Sequence, residues 1–342
     1  MSFAFGIGIG TQNNQGHWLE VFYQQPVMTP DNALMEVVQN ALDYKGGNQA
    51  ISATSEQLSQ LAHALRQIGE AEQAKLAEAA TASKRPVVVT ILETDDTASS
   101  TPEVYLKLHL ISHRMTKPHA LKLDGIFGLL PNLAWTSEGA IDLGELPDRQ
   151  LQARVEGRTL EIKSVDKFPQ MTDYVVPKGV RIADTARVRL GAYVGEGTTV
   201  MHEGFINFNA GTEGTSMIEG RISAGVMIGK GSDLGGGCST MGTLSGGGNI
   251  IIAVGENCLI GANAGIGIPL GDRCKVEAGL YITAGTKVAL LDDNNELVQV
   301  VKARDLANQP DLLFRRNSQT GAVECKTNKS AIELNEELHA NN

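Results

Sequence analysis

Aliphatic residues recur at every sixth position from about Val180 to Val288, with polar residues and glycine filling the positions between. Ile182, Val188, Val194, Val200 and Ile206 keep one frame, which Thr212 and Ile218 continue. Ile222, Ile228 and Leu234 hold a second frame, Val254, Ile260 and Ile266 a third, and Leu270, Val276, Ile282 and Val288 a fourth. Neither an α-helix nor an alternating strand has that period. Fixed hexapeptide repetition predicts a β-helix, in which short strands joined by tight turns stack into a prism and the repeated aliphatic side chain fills its axis. Glycine often follows the aliphatic residue, as in Ile228-Gly229, Val254-Gly255 and Ile260-Gly261, where the expectation is a corner turned with φ > 0.

The rhythm breaks in two places, and breaks in a solenoid are where loops leave the scaffold. One is Asn207 to Gly214. The other, Ser239 to Asn249, reads as a flap over a neighbouring face.

Before the repeat, residues 1–174 read as an α/β domain with a connector. Ala33 to Leu42 and Ser55 to Ser83 are predicted helices, the second starting at a Ser55 cap. Pro86 to Leu92 is a strand, Pro102 to His113 a helix, Pro118 to Asn132 irregular, and Ala153 to Val165 a hairpin leading to the connector at Lys167-Phe168-Pro169 and Val176-Pro177. The β-helix is assigned to 175–292. Residues 293–342 form a C-terminal segment: a strand from Leu297 to Ala303, a basic patch at Arg315-Arg316 and an acidic helical tail from Ser330 that caps the last coil.

Composition agrees with a prism packed by Val, Ile and Ala, since the chain is 42% hydrophobic but only 5% aromatic. A net charge of −10 argues against nucleic acid or an anionic membrane as a general partner. Cys238, Cys258, Cys274 and Cys325 form no CxxC and read as reduced, buried thiols. With no apolar run of spanning length and no basic leader at the N-terminus, the expected location is the cytoplasm.

Gly6-Ile7-Gly8-Ile9-Gly10 lacks the spacing of a dinucleotide fingerprint and reads instead as a flexible N-terminal strand. His202 is the only histidine in the repeat, which argues against the histidine-bound zinc of some hexapeptide proteins. Most charged residues of the repeat read as solvated corners. Glu219, in Met217-Ile218-Glu219-Gly220-Arg221, lies between the two breaks, where a carboxylate beside an arginine suits a general base or nucleophile with Arg221 holding an anion. Glu203 is a second candidate, for catalysis or for a cluster on a three-fold axis; a plain corner carboxylate is the competing reading. Leu313-Phe314-Arg315-Arg316-Asn317-Ser318, with Lys302 and Arg304, sets cations beside amide and hydroxyl donors, which suits phosphate, against ordinary surface ion pairs.

The blocks Thr199–Phe205, Met217–Gly225, Leu234–Gly237, Met241–Gly248 and Leu313–Ser318 closely resemble the longer type of the 2,3,4,5-tetrahydropyridine-2,6-dicarboxylate N-succinyltransferase family. The resemblance spans the chain and is strongest from about Asp166 onward. It implies a homotrimer of left-handed parallel β-helices with active sites between subunits. The implied reaction moves the succinyl group of succinyl-CoA to the amine of tetrahydrodipicolinate, in lysine and diaminopimelate biosynthesis. By motif, Glu219 matches the catalytic carboxylate. Arg221, Gly236, Ser239, Gly242 and Ala262 match succinyl and substrate contacts, while Glu277, Ala278, Gly285, Lys302, Arg315, Arg316, Asn317 and Ser318 match positions that bind the acyl-CoA. No tightly bound cofactor is implied. Some members hold Mg²⁺ on the trimer axis through a carboxylate at the place of Glu203 and an aspartate one coil earlier, where this chain has Ala186. Alternatives to succinyl transfer are acetyl transfer from acetyl-CoA on the same fold, or a non-enzymatic β-helical scaffold.

Overall fold

The computed structural model describes residues 2–242 and 250–327. Two compact units divide the chain. Among the described residues, the first comprises those of Met1–Leu110, Ala120–Pro169 and Asp173–Val175; the second comprises Ile111–His119, Gln170–Thr172 and those from Val176 onward.

In the first unit, Ala4–Gln12 pairs antiparallel with Trp18–Phe22 and Val27–Met28 along one side and with Val87–Leu92 along the other, and Gln49–Ser52 completes the sheet. Alternation puts Phe5 and Ile7 on one face, where they share a core with Leu34, Leu58, Leu61, Leu65 and Ile91. On the opposite face a Cβ at Gly6 would come within 2.7 Å of the buried Tyr23 ring and 3.0 Å of Leu106. The glycine run is therefore a packed strand that admits Tyr23 rather than a flexible one.

The long helix expected from Ser55 to Ser83 is two helices, Ser55–Gln67 and Ala71–Ala80, separated at Gly69 with φ +86°. Its cap is Thr54, one residue before the expected Ser55. The Thr54 hydroxyl accepts from the Gln57 N–H while the Gln57 side chain accepts from the Thr54 N–H. The hairpin expected at Ala153 to Val165 is absent. Leu146–Val155 is a helix with proline in its first turn, stopped at Gly157 with φ +74°. Ile162–Asp166 instead pairs with Leu133–Thr136, which forms its own hairpin with Gly139–Asp142. A short helix, Ile126–Leu129, sits in the stretch read as irregular.

The second unit is the hexapeptide prism, a left-handed parallel β-helix. Its first face stacks Arg181–Ile182, Thr199–Val200, Met217–Ile218, Asp233–Leu234, Leu259–Ile260 and Lys275–Val276. The second stacks Phe205–Ile206, Arg221–Ile222, Ser239–Thr240, Gly265–Gly267 and Tyr281–Thr283. The third stacks Ala192–Val194, Ala210–Thr212, Met227–Ile228 and Ala253–Val254. The repeated aliphatic positions point to the axis and are buried from Val188 to Val288. Thr212 stands in frame at 0% exposure because its hydroxyl bonds the Thr198 hydroxyl at 2.6 Å.

Asn207 to Gly214 is not a break. Ala210–Thr212 is a regular rung, and the polar residues before it make an ordinary corner in which the Asn207 side chain accepts from the Phe208 N–H at 2.9 Å. The frame instead shifts where two corners are tightened from six residues to four, between Ile218 and Ile222 and between Ile266 and Leu270. Ser239 and Thr240 likewise belong to the scaffold as a buried rung, so the insertion starts after them; residues 243–249 lie outside the described residues.

The glycines that follow the aliphatic positions do not turn the corners either. Positive φ falls three residues after the aliphatic one, at Gly231, Gly237, Asn257 and Asn263. Gly229 and Gly255 are small for another reason: a Cβ there would lie 2.6 Å and 2.5 Å from the backbone of the next coil.

The tail from Ser330 lies outside the described residues. Among those described, Leu312–Arg316 pairs in parallel with Lys275–Val276 and so covers the last rung of the first face, followed outward by Val323–Thr327, Lys287–Leu291 and Leu297–Lys302.

Candidate active site

The tightened corner after Ile218 consists of Glu219 and Gly220. Gly220 has no room for a side chain, since a Cβ would run into the Cys238 sulfur and lie 2.6 Å from its carbonyl oxygen. Glu219 is half-buried, its N–H donating to Leu234 O at 2.9 Å and its carbonyl accepting from Gly237 N–H at 3.2 Å. Its carboxylate lies above Gly236, where a Cβ would stand 3.4 Å from Oε2. The Cys238 thiol beneath is pushed up to about 12, first by burial and then by the Glu219 charge, so it stays protonated.

Two residues on, Arg221 opens the second face in register with Ser239. Its guanidinium donates to the Ser239 hydroxyl through Nη2 at 2.8 Å and Nε at 3.2 Å. The corner column then climbs coil by coil: Asn263 N–H donates to Gly236 O at 2.9 Å, and Gly279 N–H donates to Ala262 O at 2.8 Å. Glu219, Gly236, Ala262 and Ala278 thus mark one edge of the prism over three coil steps, about 14 Å at the usual strand spacing. At its far end the Glu277 carboxylate accepts from the Arg316 backbone N–H at 2.6 Å, which joins the column to the C-terminal hairpin.

The basic run divides by role. Arg315 Nε donates to Glu324 at 2.9 Å and the Asn317 amide to the same carboxylate at 2.8 Å. Glu324 is only 8% exposed, and the Asn317 amide and Arg315 hold its carboxyl below the usual range. Arg316 is exposed and donates to Gly321 O at 3.1 Å, while Ser318 is exposed beside it. Ala303 N–H donates to Thr286 O and Arg304 N–H to Ala284 O, which brings exposed Lys302 beside the open turn at Gly285. Gly242 follows Met241, whose N–H continues the second-face ladder to Ile266 O.

Tyr281, outside the sequence motifs, joins the column of Arg221 and Ser239. It occupies the outward position in register with Gly265 and, below that, Ser239 and Arg221; its ring, 45% exposed, lies over Gly265, which has no space for a Cβ. The signal was present in the repeat, because all four residues immediately precede an axial one.

Glu203 lies apart on an exposed corner beside His202, at 3.4 Å. Among the described residues no three His, Cys, Asp or Glu side chains converge as metal ligands, and Ala186 brings no oxygen donor. The residues present do not make a Mg²⁺ site within one chain. No helix among the described residues is long and apolar enough to cross a membrane.

Fold and site together define a hexapeptide-repeat β-helix protein with a carboxylate, an arginine and a basic end ranged along one edge. Family models match at residues 251–284, the hexapeptide repeat of succinyl-transferase, and at residues 130–170, the middle region of tetrahydrodipicolinate N-succinyltransferase. The 2,3,4,5-tetrahydropyridine-2,6-dicarboxylate N-succinyltransferases of Pseudomonas putida and Vibrio cholerae are 70% and 60% identical over 340 residues; each alignment covers 99% of this chain, and 98% and 99% of the respective relative. A crystal structure from Campylobacter jejuni, described as a 2,3,4,5-tetrahydropyridine-2-carboxylate N-succinyltransferase, superposes with a TM-score of 0.88 at 30% identity, covering 96% of this chain and 93% of that one. The chain belongs to the 2,3,4,5-tetrahydropyridine-2,6-dicarboxylate N-succinyltransferase family.

Proposed function

We propose that this chain transfers the succinyl group of succinyl-CoA to the amine of tetrahydrodipicolinate, with Glu219 as the catalytic carboxylate. The observation that carries the reading is the continuous edge from Glu219 to Arg316. A thioester arm laid along it reaches from a phosphate-binding end to a carboxylate. Exposed Arg316 and Lys302 meet the phosphates of coenzyme A, with Ser318 as a hydroxyl donor. Arg315 and Asn317 act through Glu324, shaping the hairpin that presents Arg316. Arg221, held by Ser239, takes a carboxylate of the succinyl group or of the acceptor. Gly236, Gly242, Ala262, Ala278 and Gly285 give the backbone close access to both substrates, Glu277 ties the hairpin to this edge through the Arg316 N–H, and preorganised N–H groups along it stabilise the oxyanion formed when the amine attacks the thioester.

Two routes balance. In one, Glu219 removes the proton from the attacking amine, the tetrahedral oxyanion collapses, and the coenzyme A thiolate leaves and is protonated. In the other, Glu219 attacks the thioester first, giving a mixed anhydride and free thiolate, and the amine then displaces the carboxylate. Hydroxylamine quenching after incubation with succinyl-CoA alone separates them: trapped hydroxamate at Glu219 means the anhydride, and its absence means general base catalysis. Thiol release with succinyl-CoA against acetyl-CoA tests the reaction itself, and a preference for acetyl-CoA overturns succinyl transfer. No release with any amino dicarboxylate would leave a scaffold.

The Glu219 edge is open surface in the single chain, which supports an active site completed by a second copy in a homotrimer. A fully active monomer in light scattering would sink that assembly. The functional division is 1–174, 175–292 and 293–342, the described residues of the last two lying, from Val176 onward, within one compact unit. The cytoplasm is the place of work this reading assigns it. A magnesium ion at Glu203 on the trimer axis has no support from the single chain.

A further inference from the structure

A cavity of about 410 Å³ opens in the first unit, far along the chain from the residues of the candidate active site. Its size is in the range of small-molecule sites. Glu20 on the strand Trp18–Phe22 forms part of its wall, together with Phe22, Trp135, Tyr174, Arg85 and Lys163.

Glu20 is 5% exposed. Its two oxygens accept from the Thr11 hydroxyl at 2.5 Å and the Tyr174 hydroxyl at 3.0 Å. An ionised carboxylate accepts about four hydrogen bonds, so these two leave about half of its capacity over. The cation set against it, Arg85, stops at 3.7 Å, is half exposed, and spends its Nη1 on the Thr11 hydroxyl at 3.1 Å. A buried carboxylate is costly unless a cation meets it at hydrogen-bond distance. Burial raises the Glu20 carboxyl above its usual range, the mark of that unmet need. Exposed Lys163, also in the lining, has no ion-pair partner among the described residues, so with Arg85 it offers two cations to an incoming anion. The Trp135 and Phe22 rings line the same cavity, as does Asp173; Trp135 is oriented by its Nε1–H, which donates to Asp166 O at 2.9 Å.

We propose that this cavity binds a free α-amino acid, its ammonium on Glu20, its carboxylate between Arg85 and Lys163, and its side chain along Trp135 and Phe22. One acidic and two basic groups line the same cavity, so a ligand carrying both an ammonium and a carboxylate finds a partner for each, which neither a simple anion nor a simple amine does.

Calorimetric titration of the intact protein with each of the twenty proteinogenic amino acids tests this. For the tightest binder, the deaminated acid and the decarboxylated amine are titrated alongside. The expected result is one saturable site per chain, with each analogue weaker by about tenfold or more, the usual effect of losing a charged hydrogen bond. Glu20→Gln and Lys163→Met should each weaken binding by a similar factor, while Glu219→Gln leaves it unchanged. Should Glu20→Gln fail to fold, Lys163→Met at its exposed position and the analogue series still decide. The proposal is overturned if none of the twenty binds or if either analogue binds as tightly as the amino acid. Binding that survives Lys163→Met but is lost in Glu219→Gln also overturns it, since the amino acid would then be occupying the acceptor site.

Discussion

A glycine of the first unit and a glycine of the prism, Gly6 and Gly211, solve the same packing problem in opposite ways. In the first unit, Gly6 leaves room for side chains from elsewhere in the chain, the Tyr23 ring and Leu106. In the prism, Gly211 leaves room for backbone: a Cβ there would run into the Tyr193 carbonyl oxygen one coil below. A core assembled from distant elements can shift a side chain to absorb an error. A stack of coils locked by parallel ladders cannot move one rung without moving its neighbours. Such a stack is therefore a rigid edge on which to hold a carboxylate, an arginine and a basic hairpin in line.

The sharpest test of that edge is Glu219→Gln, expected to lower kcat on the order of a thousandfold while thermal unfolding stays unchanged, since proton transfer by a positioned side chain carries an effect of that size. Steady-state thiol release at saturating succinyl-CoA measures it; if most of the wild-type kcat survives, the catalytic carboxylate is elsewhere, and Glu203 is next to examine. The contrast between units is tested by Gly6→Ala and Gly211→Ala in denaturant titrations. The first should cost about 1–3 kcal/mol, the usual range for overpacking, and the second should reach or exceed the top of that range. Equal losses would erase the distinction between yielding and rigid packing.

A smaller effect separates the two neighbouring arginines. Arg316→Ala should raise KM for succinyl-CoA about tenfold, the loss of one charged hydrogen bond, with Tm unchanged. Arg315→Ala should also lower Tm by a few degrees, because it strips buried Glu324 of its cation. If Arg316→Ala instead affects the acceptor equally, the hairpin is not the phosphate end.

The smallest expected effect is a pH dependence in the same hairpin. Glu324 has a folded value held below its ordinary 4.5, by the Asn317 amide first and by Arg315 as well. Its contribution to stability is therefore complete above that ordinary value and is lost as pH falls through the lowered folded one. Glu324→Gln should flatten the stability curve on the acid side, and an unchanged curve would mean that the pair carries no such coupling.

The sequence by itself determined the prism, its axial residues and the family. A six-residue period is a local property: each strand and corner must repeat whatever the rest of the chain does, so Val188 to Val288 announce the axis directly. The blocks around Glu219 and Arg315 were legible for the same reason, being contiguous. Only the tertiary structure decided which residues share an edge. Coil steps of eighteen, twenty-six and sixteen residues bring Arg221, Ser239, Gly265 and Tyr281 into one column, and no uniform spacing reveals that. It also decided that Asn207 to Gly214 is an ordinary corner, that Arg315 serves Glu324, and that Gly6 and Gly8 of the first strand make room for Tyr23. Each of these depends on which group arrives opposite a residue in space, and that is set by ladder register and packing between segments far apart in the chain.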